Sequence, residues 1–396
     1  MPESDKLSSV DKVVLFAVFL GGSSLFFPFF VVKQHRLDAG QAMRLFETGP
    51  WVFALTVAIL AATAWIGMRS DRFRSGDEVL FPAIVIFALL WLWVGTAATA
   101  ELAAFGFDRG RVSPSSGFWL LLLSTFVLFT HGHASARRRV LRTGLAPALV
   151  LFLVLLFVSG VLDDLAFVRE YYTRESRFAG EFVAHVGLAG AAVGAAVVFG
   201  IPLGIVAYRN KRLEKPVFGL VSGLQTVPSL ALFGLMIAPL AILSQRYPVL
   251  RAMGVRGVGN APALLALFLY ALLPVVRNTF TSLRVMDPGV IDAGTGMGMT
   301  RRQLLWRVEI PIALPIILSG IRVSAVQTIG NTTVAALIGA GGLGNFVFQG
   351  LGQAAPDLIV MGVIPIVLLA VTADRVFQFL ADHAVPGPKR RRIAYD

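Results

Sequence analysis

Ten long apolar runs set what this chain can become: residues 13–32, 51–68, 79–96, 117–130, 145–162, 186–207, 217–243, 260–276, 314–336 and 358–380. A run of about 20 apolar residues is long enough to cross the hydrocarbon core of a bilayer as a helix. Inside that core each backbone N–H and C=O must find its partner within the protein, so helices are the expected spanning elements. The sequence therefore predicts an all-α integral membrane protein with about ten transmembrane helices. Composition agrees: 15% of the 396 residues are charged, 56% are hydrophobic, and the mean hydropathy is +0.75. A soluble domain carries about a quarter charged residues. The fourth run is short. The seventh contains Pro228 and Pro239 and is expected to be bent or broken. The first run is followed by Lys33 instead of a small-residue cleavage site, which reads as a span and not a cleavable signal.

A net charge of +12 would suggest nucleic acid in a soluble protein. Here the basic residues lie between the spans. With both termini on the cytoplasmic side, 22 of the 35 Lys and Arg fall in inward segments and 11 in outward ones, while Arg322 and Arg375 lie within spans. That bias is the one expected of a multi-pass membrane protein, with no call for nucleic acid. Cysteine is absent, which removes disulfides, thiol catalysis and Cys-based zinc sites.

The chain changes character near residue 170. Residues 1–169 hold about five simple, aromatic-rich spans and read as an accessory region. A polar stretch, 163–181, carries five acids, and residues 174–185 are predicted to form an amphipathic helix on the membrane surface. From 170 to 384 the chain is rich in Gly, Ala, Ser and Thr, which let membrane helices approach closely. This part is expected to be the working core of five to six helices. Residues 385–396 form a basic tail on the cytoplasmic side.

The longest inward loop, about 285–312, carries the densest pattern. Asp287 is a good N-cap and Pro288 a good first helical residue. Gly298 suits the left-handed turn that ends a helix. Thr300 with Gln303 is a capping box for a second short helix bearing Trp306, which Pro311 is expected to close. Two capped helices with exposed apolar and Arg side chains are more than a solvated connection needs.

This loop resembles the EAA loop of ABC importer permeases. Asp292-Ala293-Gly294, three residues, Gly298, nine residues and then Val308-Glu309-Ile310-Pro311 fit its register, with Asp292 and Gly294 as departures. The resemblance is closest to permeases for glycine betaine, choline and related osmoprotectants. Thr226-Val227-Pro228-Ser229-Leu230-Ala231-Leu232 and Ile338-Gly339-Ala340-Gly341-Gly342-Leu343-Gly344 are similar to segments of theirs, over roughly residues 175–384. The resemblance implies a transport subunit of a bacterial inner-membrane importer and not an enzyme. Asp292, Ala293, Gly294, Gly298, Thr300, Trp306 and Pro311 would dock a separate ATPase, which uses ATP and Mg; this chain would bind no cofactor. A solute-binding protein would deliver the solute, and the permease would act as a homodimer or beside a paired permease.

Other signals are weaker. The stretch from Gly339 to Gly344 matches G-x-G-x-x-G, but it follows a span with no strand before it, so a tight turn or gate at the outer mouth is expected. No Gly-Lys pair exists, so a P-loop is excluded. His131 and His133 have no clear acidic partner nearby in sequence and are read as solvated, with no metal site. Gln225, Thr226, Pro228, Ser229, Arg322, Asn331 and Thr332 are the polar or helix-breaking groups of the core spans. They are candidates for the translocation pathway, with interhelical packing as the competing role. An ion-coupled secondary transporter is the alternative function. It would need ionisable groups in the spans, and the core offers only Arg322 and, near a cytoplasmic end, Asp374 and Arg375.

Overall fold

The computed structural model describes residues 11–36, 38–69, 76–107, 110–136 and 139–384. The expected basic tail 385–396 lies outside them, as do Arg72, Arg74, Arg109, Arg137 and Arg138. The chain divides into two compact units, Met1–Thr173 and Arg174–Asp396.

The first unit contains α1 (Lys12–Ser24), α2 (Leu45–Thr48), α3 (Pro50–Met68), α4 (Asp77–Ala104), α5 (Ser116–Ser135), α6 (Arg139–Val158) and α7 (Ala166–Tyr172). It also holds a three-stranded antiparallel sheet in the order β2 (Gln41–Met43), β1 (Phe30–Lys33), β3 (Arg111–Pro114). The sheet corrects the expected first span. Helix α1 ends at Ser24, where the hydroxyls of Ser23 and Ser24 donate back to the carbonyls of Leu20 and Gly21. Pro28 disfavours helical backbone at the residue before it. The β-branched Val31 then pairs with Ala42 on one side and Ser113 on the other. The fourth span is longer than expected, 20 residues in α5. The core is aromatic: Phe29 and Phe30 pack on Trp93, and Phe118 meets Trp91 edge-on at 5.2 Å. At the sheet, the buried Glu170 of α7 is held by Arg111 at 2.7 Å and Arg36 at 3.5 Å.

The second unit contains α8 (Glu175–Arg209), α9 (Lys211–Thr226), α10 (Ser229–Arg246), α11 (Pro248–Ala252), α12 (Asn260–Arg284), α13 (Pro288–Gly296), α14 (Arg301–Leu304), α15 (Ile310–Ala335), α16 (Gly344–Gly352) and α17 (Pro356–His383). Helix α8 is continuous for 35 residues, so residues 174–185 do not form a separate surface helix. Nothing in this stretch breaks the ladder: the next proline is Pro202, far along the helix. Among the described residues, eight helical segments are long and apolar enough to cross a membrane. Lys12–Ser24 and Pro147–Val158 are apolar but shorter.

Helix α12 is the axis of this unit, packed against both α8 and α15. Alanines 192, 196, 263, 266 and 271 are buried in these contacts, with Val275, Ile317 and Ile321. Two glycines set the separation. A Cβ on Gly204 would lie 2.7 Å from Thr279 Cβ, and one on Gly320 would lie 2.8 Å from the Pro274 carbonyl oxygen. Small residues at such crossings let van der Waals contact replace the hydrophobic driving force that lipid does not supply. Gly320→Val should therefore push α15 off α12, costing about 1–3 kcal/mol or more by overpacking. The expected result is a lower thermal midpoint of the purified protein in detergent; an unchanged midpoint would count against this crossing.

Candidate functional site

The loop between α12 and α15 folds as its capping residues require. Asp287 Oδ1 accepts from the Gly289 N–H at 2.9 Å, opening α13 with Pro288 at its first position. Gly298 takes φ +79°, and the end of α13 is a Schellman turn: Met299 N–H donates to the Gly294 carbonyl and Gly298 N–H to that of Thr295. Thr300 and Gln303 form the reciprocal capping box, at 2.8 and 3.3 Å. Gly294 is the buried residue of α13, and a Cβ there would come within 2.5 Å of Leu304 Cδ1. The glycine in place of the second Ala of the motif thus lets the two short helices close on each other. Asp292 and Ala293 remain exposed. Met297 and Trp306 are 71% and 60% exposed beside Arg301, Arg302 and Arg307, a mixed apolar and basic surface.

Pro311 does not close the second helix. Residues 305–309 form a π turn, with Ile310 N–H bonded to the Leu305 carbonyl, and the helix runs on into α15. The wider turn moves the hydrogen-bonding register by one residue, so a proline just beyond it is accommodated. The loop is therefore carried on one helical rod, residues 301 to 338.

The seventh expected span is broken at Val227-Pro228, between α9 and α10. Two backbone carbonyls left without helical donors here are met by side chains. Pro274 has no N–H, which leaves the Tyr270 carbonyl without its helical donor; Gln225 Nε2 supplies one at 3.0 Å. In return the Tyr270 hydroxyl donates to the Val227 carbonyl at the break. Thr226 bonds within its own helix, to Gly223, and Pro228 serves as N-cap of α10, where Ser229 begins the helix. Val227 packs in the same cluster as Val334 and Ala335, one turn beyond Asn331 and Thr332. Thr332 is buried and bonded to the Thr328 carbonyl, while Asn331 is half-buried. Four of the seven pathway candidates, Gln225, Thr226, Pro228 and Ser229, thus flank the break, and Asn331 and Thr332 lie one turn before the α15 residues of the same apolar cluster. Arg322 does neither: it lies about 14 Å back along α15 by helical rise and is bound by Asp374 of α17, at 2.5 and 2.8 Å.

The far end of α15 is fastened differently. Gly339, Gly341 and Gly342 all adopt positive φ, and the Gly342 N–H donates to Glu181 Oε2 at 2.7 Å. Asn345 Nδ2 donates to the other oxygen at 2.7 Å, and Arg177 lies 3.6 Å from the carboxylate. The glycine loop holds a side chain of its own protein where a nucleotide loop would hold phosphate. In the first unit, His131 has the acidic partner that sequence proximity did not reveal, Asp11 at 2.6 Å. Sequence reasoning missed Tyr270, Glu181 and Asp374 as partners. Only the first had a readable signal, the proline four residues on.

Residues 196–388 match the family described as binding-protein-dependent transport system inner membrane component. Residues 9–168 match the N-terminal domain of the ABC transporter permease YehY. The osmoprotectant import permease protein OsmW of Salmonella typhimurium is 45% identical over 190 residues, 48% of this chain and 83% of that one. The carnitine transport permease protein OpuCB of Listeria monocytogenes is 44% identical over 48% of this chain and 80% of that one. Among solved structures, the inward-facing MetNI methionine ABC transporter is similar at 22% identity and TM-score 0.43, over 51% of this chain and 95% of that one.

The chain belongs to the family of permease components of binding-protein-dependent ABC importers. It is a multi-pass membrane transport subunit and not an enzyme; ATP hydrolysis belongs to a separate subunit and solute capture to a binding protein.

The Arg322–Asp374 pair gives a test of the core. Removing one partner leaves a charge in an apolar helix packing, so Arg322→Leu or Asp374→Leu alone should cost about 1.5–3 kcal/mol. The double Leu variant should be more stable than either single one, measured by thermal unfolding in detergent. Additive losses would deny the pairing.

Proposed function

We propose that this chain is the pathway-forming permease of an importer for small quaternary ammonium or zwitterionic osmoprotectants such as glycine betaine, choline or carnitine. The names of its relatives, which include a glycine betaine/carnitine/choline permease of Bacillus subtilis at 36% identity, support that solute class. Cation–π recognition of the quaternary ammonium group would fall mainly to the binding protein.

The observation that carries the reading is the loop of residues 285–312. It presents Trp306 and three arginines on a rod continuous with α15, with Asp292 and Met297 exposed on the short helix α13 and its end, which pack beside that rod. A separate ATPase subunit, using ATP and Mg, docks on this face. Closure of that subunit is transmitted through the rod to the broken span at Pro228, where Gln225, Thr226, Ser229, Asn331 and Thr332 border the solute's route. The route is completed by a second copy of the chain or a paired permease. On the charge bias both termini and the loop are cytoplasmic, and the glycine loop at 339–344 faces outward. The unit ending at Thr173 is an accessory to this core, and the tail at 385–396 is a basic cytoplasmic segment.

Gly298 is the position to change. Its φ of +79° penalises any L-side chain by about 1–2 kcal/mol, and a Cβ there meets nothing within 4 Å, so the fold has room for it. Gly298→Glu should leave the chain in the membrane but remove the ATPase subunit from the affinity-purified complex and abolish uptake. Retention of a stoichiometric ATPase with normal uptake would overturn the docking assignment.

A further inference from the structure

One charged group of the 285–312 segment is buried where the rod enters the bundle, off the exposed docking face and away from the broken span. Glu309, the last residue of the π turn, is 1% exposed. Its Oε2 accepts from Arg209 Nη2 at 2.5 Å, and its Oε1 is buried with no hydrogen-bond partner. Arg209 is the last residue of α8 and lies 5.6 Å over the ring of Tyr208.

Three features meet at this junction. A π turn is rare, and such turns concentrate at functional sites. Pro311 and Pro315 follow it and lack N–H groups, so the rod has fewer axial hydrogen bonds here than elsewhere. A displacement arriving from the loop would therefore be taken up as bending unless a second element is tied in at the same point. The tie is a carboxylate that is expensive to bury half-satisfied, where an apolar residue would pack at lower cost.

We propose that Arg209 and Glu309 are a positioning pair that clamps the end of α8 to the π turn. Movement of the 285–312 loop then displaces α8 and α15 together. This rests on the reading of the loop as the ATPase-docking element.

The test uses the complete complex in liposomes, with its ATPase and binding protein and with radiolabelled glycine betaine, choline and carnitine each supplied as solute. Glu309→Gln keeps size, Arg209→Ala removes the partner, and the double variant R209E/E309R exchanges the charges. ATP hydrolysis should stay within about twofold of the unaltered complex, while solute moved per ATP falls roughly tenfold in both single variants. The exchanged pair should recover much of that ratio. An unchanged ratio in both single variants overturns the proposal. So does a parallel fall in hydrolysis and transport with a lowered thermal midpoint, or loss of the ATPase from the Glu309→Gln complex, since each describes a purely structural role. Absence of the ATPase from the unaltered complex would instead refute the docking assignment itself.

Discussion

In a bilayer, a backbone carbonyl that loses its helical donor has no water to turn to, and the second unit is organised around that constraint. Pro274 frees the Tyr270 carbonyl, and Gln225 meets it; the break before Pro228 frees the Val227 carbonyl, and the Tyr270 hydroxyl meets that. The two prolines are thus joined by one residue pair that exchanges side chain for backbone. Because Gln225 and Tyr270 are committed to each other's segments, α9 can break at a fixed place against α12. The break is thus made without leaving either carbonyl orphaned in lipid.

The same economy extends outward from α12. Gly204 and Gly320 bring α8 and α15 against it at distances that no side chain could share. Helix α15, so placed, carries the exposed loop at one end and the Glu181-held glycine turn at the other. Its 26 residues correspond to about 39 Å of rise, the depth of a bilayer. The rod bears the exposed Trp306 near one end, and its far end is anchored by a carboxylate. Both ends are set by glycines with positive φ, Gly298 at one and Gly339, Gly341 and Gly342 at the other.

Local chemistry was the legible part of this protein. The caps at Asp287 and Thr300, the turn at Gly298 and the break at Pro228 follow from single residues acting on their own backbone, and each is present. What sequence did not disclose was pairing across distance. Asp374 is 52 residues from Arg322, Glu181 is 161 from Gly342, and Asp11 is 120 from His131. Such contacts depend on which helix faces which, and apolar periodicity in a membrane span says little about facing. Two errors were local. Pro311 looks like a stop because a proline inside an α-helix usually is one, whereas a π turn absorbs it. The apolar run 13–32 looks like one span because hydropathy does not distinguish the helix ending at Ser24 from the strand Phe30–Lys33 that follows it.

The most direct test of the account is the energy source. The purified chain, with its ATPase and binding protein, would be reconstituted in liposomes holding ATP and Mg, with ionophores collapsing every ion gradient. Uptake of radiolabelled glycine betaine, choline or carnitine is the measurement. Uptake that requires ATP and the binding protein and persists without any gradient is the expected result. Uptake driven by an imposed ion gradient in the absence of ATP would contradict the account and make the chain a secondary transporter.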